Sequence, residues 1–501
     1  MDGRFLARRN AQPARLADVP LLQESAFRAA VLDAVQTDGC HIASLFGRET
    51  DGAIELIAVV ASDEASELGL IRTRLTGDSF ASLTADCPQA QLFEREIAEQ
   101  FGVTPEGHPW LKPVRFHAPW REPQPGGTHT PGVTDFFRVE GDEVHEVAVG
   151  PVHAGVIEPG HFRFQCHGEQ VFHLEIALGY QHRGIEAAIA GGPSKRTVHM
   201  MESAAGDTTI GHTLAYAQAL EALGGAKPPA RAHAIRGIAL ELERLANHVG
   251  DLGALAGDVA FLPTASFCGR IRGDYLNLSA ELCGSRFGRG LVRPGGVTFD
   301  IEPTRISALQ ERLDTATRDA KEAVALLWET PTVMERFEAT GVVDSDACEE
   351  IGLVGVAARA CGRAIDVRHD FPFGIYRFVH LPVMTAHHGD VNSRAFVRWL
   401  ELQRSAEFVA LQLRTLPATP VRVECGAPAA DSIVVSMTEG WRGEVCHVAI
   451  TGRDGAFTRY KITDPSFHNW FGLALALRGG QISDFPLCNK SFNLSYCGHD
   501  L

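Results

Sequence analysis

Apolar positions recur every three or four residues over two long stretches of the chain. From Ala234 the series Ile235, Ile238, Leu242, Leu245, Val249, Leu252, Leu255 and Val259 keeps one continuous stripe, which predicts a long helix with a buried face. Ile306, Leu309, Leu313, Ala320, Val324 and Leu327 repeat the pattern. Gly191-Gly192, Gly224-Gly225, Gly295-Gly296 and Gly479-Gly480 punctuate this region as turns. Long helices packed together form a bundle, and bundle cores are common cofactor sites. The N-terminal part mixes types. Ala26 to Val35 is helix-like, Ile54 to Ala61 is an apolar run of strand length, and Phe93, Ile97 and Phe101 share one helix face with Glu94, Arg95, Glu96 and Glu99 around it. The predicted fold class is α+β: an N-terminal α+β domain followed by a mostly helical one.

The sharpest break lies at His117 to Asp135, where four prolines and three glycines oppose both helix and strand. This predicts a tail over 1–18, a first domain over 19–116, a linker over 117–135 and a large domain over 136–501. Basic residues among the first nine positions are the kind found in export signals, but no apolar segment follows, so a solvated tail is expected.

Composition narrows the function. The chain has 501 residues, 45% apolar and 22% charged, with a formal net charge of −16. An acidic balance excludes a broad basic footprint for nucleic acid and disfavours adsorption to anionic lipid. No run of apolar residues is long enough for a transmembrane helix, so partner subunits would carry the chain to a membrane. The eleven cysteines are scattered and no pair forms C-x-x-C. That pattern predicts reduced, mostly buried thiols and gives no support for a zinc or iron–sulfur site. No Gly-x-Gly-x-x-Gly fingerprint follows a strand, so any NADH site belongs to a partner.

The densest polar segment runs from Gly150 to Arg163 and holds His153, Glu158, His161 and Arg163 among glycines and prolines. Histidine titrates near neutrality and can donate to, or accept from, a redox-active oxygen. Spacing alone favours a hairpin whose polar groups are satisfied by backbone. Arg244 and His248 lie four apart with Asn247 between them. They are placed to face a cluster-bearing neighbour, and a solvated or salt-bridged helix side is the simpler expectation. His387-His388 is expected to be a loop feature rather than a metal pair.

The motif GPVHAGVIEPGHFRF, followed by GEQVFHLEIALGYQHRGIE, resembles the start of the large subunit of group 4 nickel–iron hydrogenases. These are the formate hydrogenlyase and hydrogenase-4 type, whose relatives include the D-type component of respiratory complex I. RAHAIRGIALELERLANHVGDLGALAGD, VRPGGV, GLVGVAARACG, GDVNSRAFVRWLELQRS and EGWRGEVCHVAITG continue the resemblance in order. EREIAEQFGV and PEGHPWL resemble the C-type component of complex I, so the sequence is similar to a fused C–D arrangement from about Val19 onward.

The departures carry the chemistry. The family holds nickel and iron with four thiolates, because soft ligands suit those metals. The matching positions here are Ala205, Thr208, Ser495 and Gly498, so no nickel–iron centre is expected. Cys488 and Cys497 lie nearby but out of register. Glu158 matches the family's proton-passing glutamate and Arg442 the arginine that overhangs the metals. In complex I the same cavity is metal-free and receives a quinone headgroup through a loop histidine and a tyrosine. His153 and His161 bracket the equivalent loop, while the tyrosine position falls near Gly206, with Asp207 or Thr208 as substitutes. The catalytic candidates are therefore His153, Glu158, His161 and Arg442, and the cofactor-binding candidates are His153, His161, Asp207 and Thr208. The resemblance implies an oxidoreductase subunit on the cytoplasmic side of a bacterial inner membrane. Its implied partners are an iron–sulfur small subunit and antiporter-type membrane subunits, with a quinone as possible acceptor. A non-catalytic scaffold and a hydrogenase or formate hydrogenlyase large subunit are the alternatives. Formate, NADH and carbon monoxide all fit as electron donors.

Overall fold

The computed structural model describes residues 3–121, 134–152 and 157–501. The first part is built on a sheet in which Leu6–Arg8, Glu67–Arg74, Ala53–Ser62 and His41–Thr50 lie in that order, all antiparallel. Leu21–Leu22 joins Glu67–Arg74 in parallel. His41–Thr50 and Ala53–Ser62 form a hairpin whose two-residue turn is Asp51-Gly52. Both turn residues have positive φ, 51° and 74°, as the right-handed twist of the flanking strands requires. Helix Glu24–Gln36 lies against this sheet, and helix Gln91–Phe101 buries Phe93, Ile97 and Phe101 there. The second contact is close: a Cβ at Gly47 would stand 2.6 Å from the Phe101 ring.

The large part carries a three-stranded sheet, Val144–Val149, His161–His167 and Gln170–Ala177, ahead of the helices. Thr209–Leu223, Ala230–Asp258, Leu262–Cys283, Pro303–Trp328 and Val391–Arg414 are the long helices. Ala230–Asp258 is the central one, and the periodic stripe falls on it as expected. It packs against Leu262–Cys283 and Val391–Arg414. Gly253 allows the first of these approaches, since a Cβ there would meet Cys268 Cβ at 2.6 Å.

A second sheet, Ser432–Glu439, Glu444–Thr451 and Phe457–Thr463, follows the helices and is buried almost throughout. The helices Pro465–Leu477, Phe485–Phe492 and Tyr496–His499 complete the order.

Two expectations are corrected. The first residues are not a solvated tail. Leu6–Arg8 pairs with the first sheet, Ala14–Arg15 pairs with Ser432–Ile433, and the buried Asn10 amide donates to the carbonyls of Phe371 and Met437. Two- and three-residue strands carry no readable period, so their partners lie beyond sequence reasoning. Arg244, Asn247 and His248 are buried, so the neighbour-facing and solvated readings are set aside and the salt-bridged one holds. Arg244 pairs with Glu241 at 3.1 Å and donates to the carbonyls of Glu439 and Gly440, while His248 Nε2 lies 2.8 Å from Glu401.

The two parts are joined by buried charge. Lys461 Nζ lies 2.8 Å from Glu96 and 3.0 Å from Glu186, and Arg459 lies 2.9 Å from Glu186. Arg115 also pairs with Glu96. Burial opposes the charge on Glu96, but Lys461 and Arg115 outweigh it and hold the carboxyl at about 2. Of the expected linker, residues 122–133 lie outside the described residues.

Candidate active site

Four segments distant in sequence supply one cavity. Glu158 precedes strand His161–His167, and Asp207-Thr208 precede helix Thr209–Leu223. Arg442 sits in the tight turn Gly440–Gly443, closed by reciprocal backbone hydrogen bonds of 2.8 and 3.1 Å. Asn489 to Tyr496 supply the last wall. Gly355 fixes the height of the Arg442 turn, since a Cβ there would stand 2.0 Å from the Arg442 carbonyl oxygen. The cavity has a volume of about 480 Å3, and Glu158, Gln181, Asp207, Arg442, Lys490 and Tyr496 are among its lining residues.

Arg442 grips Asp207 with both terminal nitrogens, at 2.7 and 2.8 Å, and its Nε donates to the Asn493 carbonyl at 2.5 Å. Its guanidinium lies 3.9 Å from the centre of the Trp441 ring. Trp441 Nε1 and Asn247 Nδ2 both donate to the Asp207 carbonyl, at 2.9 and 3.0 Å. Burial opposes the Arg442 charge, but Asp207 overrides it and raises the pKa. A planar fork held against a carboxylate and a ring is a pre-set cation whose position no mobile side chain has to find.

The four positions that the resemblance aligns with metal ligands, Ala205, Thr208, Ser495 and Gly498, offer no thiolate. Ala205 and Thr208 are buried, and the Thr208 hydroxyl donates to Asp207 Oδ1 at 3.2 Å. Ser495 caps the last helical turn, its oxygen accepting from the Gly498 N–H at 2.9 Å. A Cβ at Gly498 would stand 2.7 to 2.8 Å from the carboxylate atoms of Asp464. That carboxylate is fixed by the Ser466 N–H at 2.8 Å and by His212 Nε2 at 3.0 Å. A thiolate at 498 would meet both a steric and a like-charge barrier. Cys497 does not replace it: burial, and then Glu158 beside it, push its thiol up to about 11. Burial pushes Cys488 to about 11 as well, so neither is a thiolate near neutral pH.

Glu158, Asp207, Thr208 and Arg442 are therefore brought together. Glu158 Oε2 accepts from the Tyr496 N–H at 3.1 Å, which ties the first segment of the site to the last. His161 is not among the residues lining the cavity. It begins a strand opposite Ala177, with its ring 5.3 Å from Phe136 and its Nδ1 3.4 Å from the Gly150 carbonyl. His153 lies outside the described residues. Tyr496, Lys490, Asn489, Asn493 and Asp464 were missed by sequence reasoning, because no motif or period marks them. Tyr496 bears on the expectation that the cavity lacks a tyrosine. One lines it, from the C-terminal segment rather than near Gly206, and its buried hydroxyl lacks a well-formed hydrogen bond, with the Asn489 side chain alongside.

The model of the respiratory-chain NADH dehydrogenase 30 Kd subunit matches residues 23–131, and that of the 49 Kd subunit matches residues 258–430. The carbon monoxide-induced hydrogenase of Rhodospirillum rubrum is 30% identical over 350 residues, covering 70% of this chain and 97% of that protein. Formate hydrogenlyase subunit 5 of Escherichia coli K12 is 28% identical over 480 residues, covering 91% and 84%. Among solved structures, a chain of the membrane-bound sulfane sulfur reductase, an archaeal respiratory membrane complex, shares the fold. Its TM-score is 0.66 at 22% identity, and the match covers 72% of this chain and 99% of that one. The chain thus belongs to the family of hydrogenase and respiratory NADH dehydrogenase 49 Kd-type large subunits, with a 30 Kd-type domain fused ahead of it and no C-x-x-C pair in its sequence.

Proposed function

We propose that this chain is the large subunit of a membrane-associated respiratory or energy-converting oxidoreductase complex, and that its cavity reduces a quinone-like acceptor with electrons from an iron–sulfur partner subunit. One observation carries this reading. Glu158, Asp207, Arg442, Lys490 and Tyr496 meet around one cavity, while Asp464 fills the space a side chain at Gly498 would need. Quinone reduction requires electrons, protons and stabilisation of charge on the headgroup oxygens, and none of these needs a metal at the site. Arg442 and Lys490 supply positive charge toward such oxygens, and Glu158 supplies a carboxyl group for proton exchange. His153 stays in the proposal through its sequence position shortly before Glu158, and Thr208 through its hydroxyl beside Asp207. His161, being away from the cavity wall, is proposed to support that loop rather than touch the acceptor. Hydrogenase activity of the chain itself is not expected.

The names of the relatives support membership of an oxidoreductase complex. Among the described residues no helix is long and apolar enough to cross a membrane. In this reading, attachment to the cytoplasmic face of the inner membrane runs through antiporter-type partner subunits. A scaffold role is the competing reading, favoured by the Asp207 carboxylate that already neutralises Arg442.

The test is quinone-linked turnover of the assembled complex with Arg442→Met and, separately, Lys490→Met. A loss of about a hundredfold with unchanged subunit composition is expected. Full turnover in both variants would overturn the proposal and leave the scaffold.

A further inference from the structure

Asp207 lines two cavities. One is the site described above. The other is small, about 10 Å3, and Glu243, Asn247, Ser279 and Arg286 also line it. That volume is roughly what one water molecule needs. Arg286 and Phe287, which line the small cavity together with Asp207 and Glu243, are exposed.

Glu243 projects from the central helix at this point and is buried. Its oxygens accept from the N–H groups of Ile210 and Gly211, at 2.7 and 3.2 Å. The charged groups around it are occupied elsewhere or peripheral. Arg244, its neighbour on the same helix, is engaged by Glu241 and Glu401. Asp207 is gripped by Arg442, and Arg286 stands at the exposed rim. Asn247 Nδ2 donates to both the Glu243 and the Asp207 carbonyls, at 2.9 and 3.0 Å, which holds the two acidic residues on facing walls.

We propose that Glu243 is the proton reservoir of the Asp207–Arg442 cavity, releasing its proton toward that cavity past Asp207 and reloading from the surface beside Arg286. The environment tolerates both states of the carboxyl. Burial, with Asp207 adding to it, pushes the group to about 8, so it holds a proton at neutral pH. After release, the carboxylate is received by two backbone N–H groups at the start of helix Thr209–Leu223. In the transfer the Glu243 O–H bond breaks, the proton goes to the acceptor in the cavity, and a proton from solvent restores the acid. The inference rests on the proposed function in one respect: the cavity must consume protons.

Two measurements separate the claims. In infrared titration of the full-length protein, a protonated-carboxyl band that ionises near pH 8 is expected, and it is lost in Glu243→Gln. In the assembled complex, turnover with a short-chain quinone is expected to fall on the alkaline side in the wild type. Glu243→Gln lowers kcat about a hundredfold and flattens that limb, while Glu243→Asp keeps it. Absence of the band overturns the reservoir whatever the turnover. A band with an unchanged pH profile in Glu243→Gln also overturns it. Absence of quinone turnover in the wild-type complex, with the band present, counts against the proposed function and leaves Glu243 as a proton store.

Discussion

The carboxylate of Asp464 stands in the space that a side chain at Gly498 would occupy, with its carbon and oxygens 2.7 to 2.8 Å from a Cβ built there. At this position, which the resemblance aligns with a metal ligand, there is no room for a longer side chain. The position has been filled, and His212 and the Ser466 N–H hold the group that fills it.

Gly498→Ala is expected to destabilise the full chain by about 1–3 kcal/mol, the usual cost of overpacking a closed site. Asp464→Gly is also expected to destabilise, because it strands His212. The double variant is expected to be more stable than the sum of the two effects, since removing the carboxylate relieves the clash at position 498. Urea unfolding of the four proteins measures the coupling, and strict additivity would show that the two positions do not interfere.

Lys461 is the pivot of the buried charge between the two parts of the chain. Lys461→Met leaves Glu96 and Glu186 with less compensation and is expected to cost about 3–5 kcal/mol. Adding Glu96→Gln and Glu186→Gln is expected to deepen that loss, because Arg115 and Arg459 then keep buried charges without their carboxylates. Limited proteolysis within residues 3–121 is a second readout, with faster cleavage in the triple variant than in the single. Equal stability of wild type and Lys461→Met would contradict the assignment.

His41 lies between Glu444 at 3.0 Å and Asp63 at 3.4 Å. Burial opposes its charge, but the two carboxylates win and raise its pKa well above the usual histidine value. A raised folded pKa means the contribution is full below about pH 6.5, the unfolded value, and is lost as pH rises through the folded one. The stability advantage of wild type over His41→Gln is therefore expected to be largest at mildly acidic pH and to shrink toward alkaline pH. Unfolding midpoints across that range test it, and a difference that grows with pH would contradict the sign.

The long helices were legible because each buries one stripe on a polar cylinder, and Ala230–Asp258 is the clearest case. The second sheet was not. Ser432–Glu439 and Glu444–Thr451 are buried at every position, so neither shows the alternation of a half-buried strand. The polar residues of the central helix looked like a salt-bridged side. Their partners Arg368, Glu401 and Glu439 are supplied from more than a hundred positions away, which local spacing does not reveal. In the site, Glu158, Asp207 and Arg442 were found through family motifs. Tyr496, Lys490 and Asp464 required the fold, because their role comes only from which segments meet.

The most direct test is the nickel content of the assembled complex purified from nickel-replete cells. With Ala205, Thr208, Ser495 and Gly498 at the ligand positions, nickel is expected only at trace level, far below one atom per chain. About one nickel per chain, retained through gel filtration, would contradict the metal-free cavity.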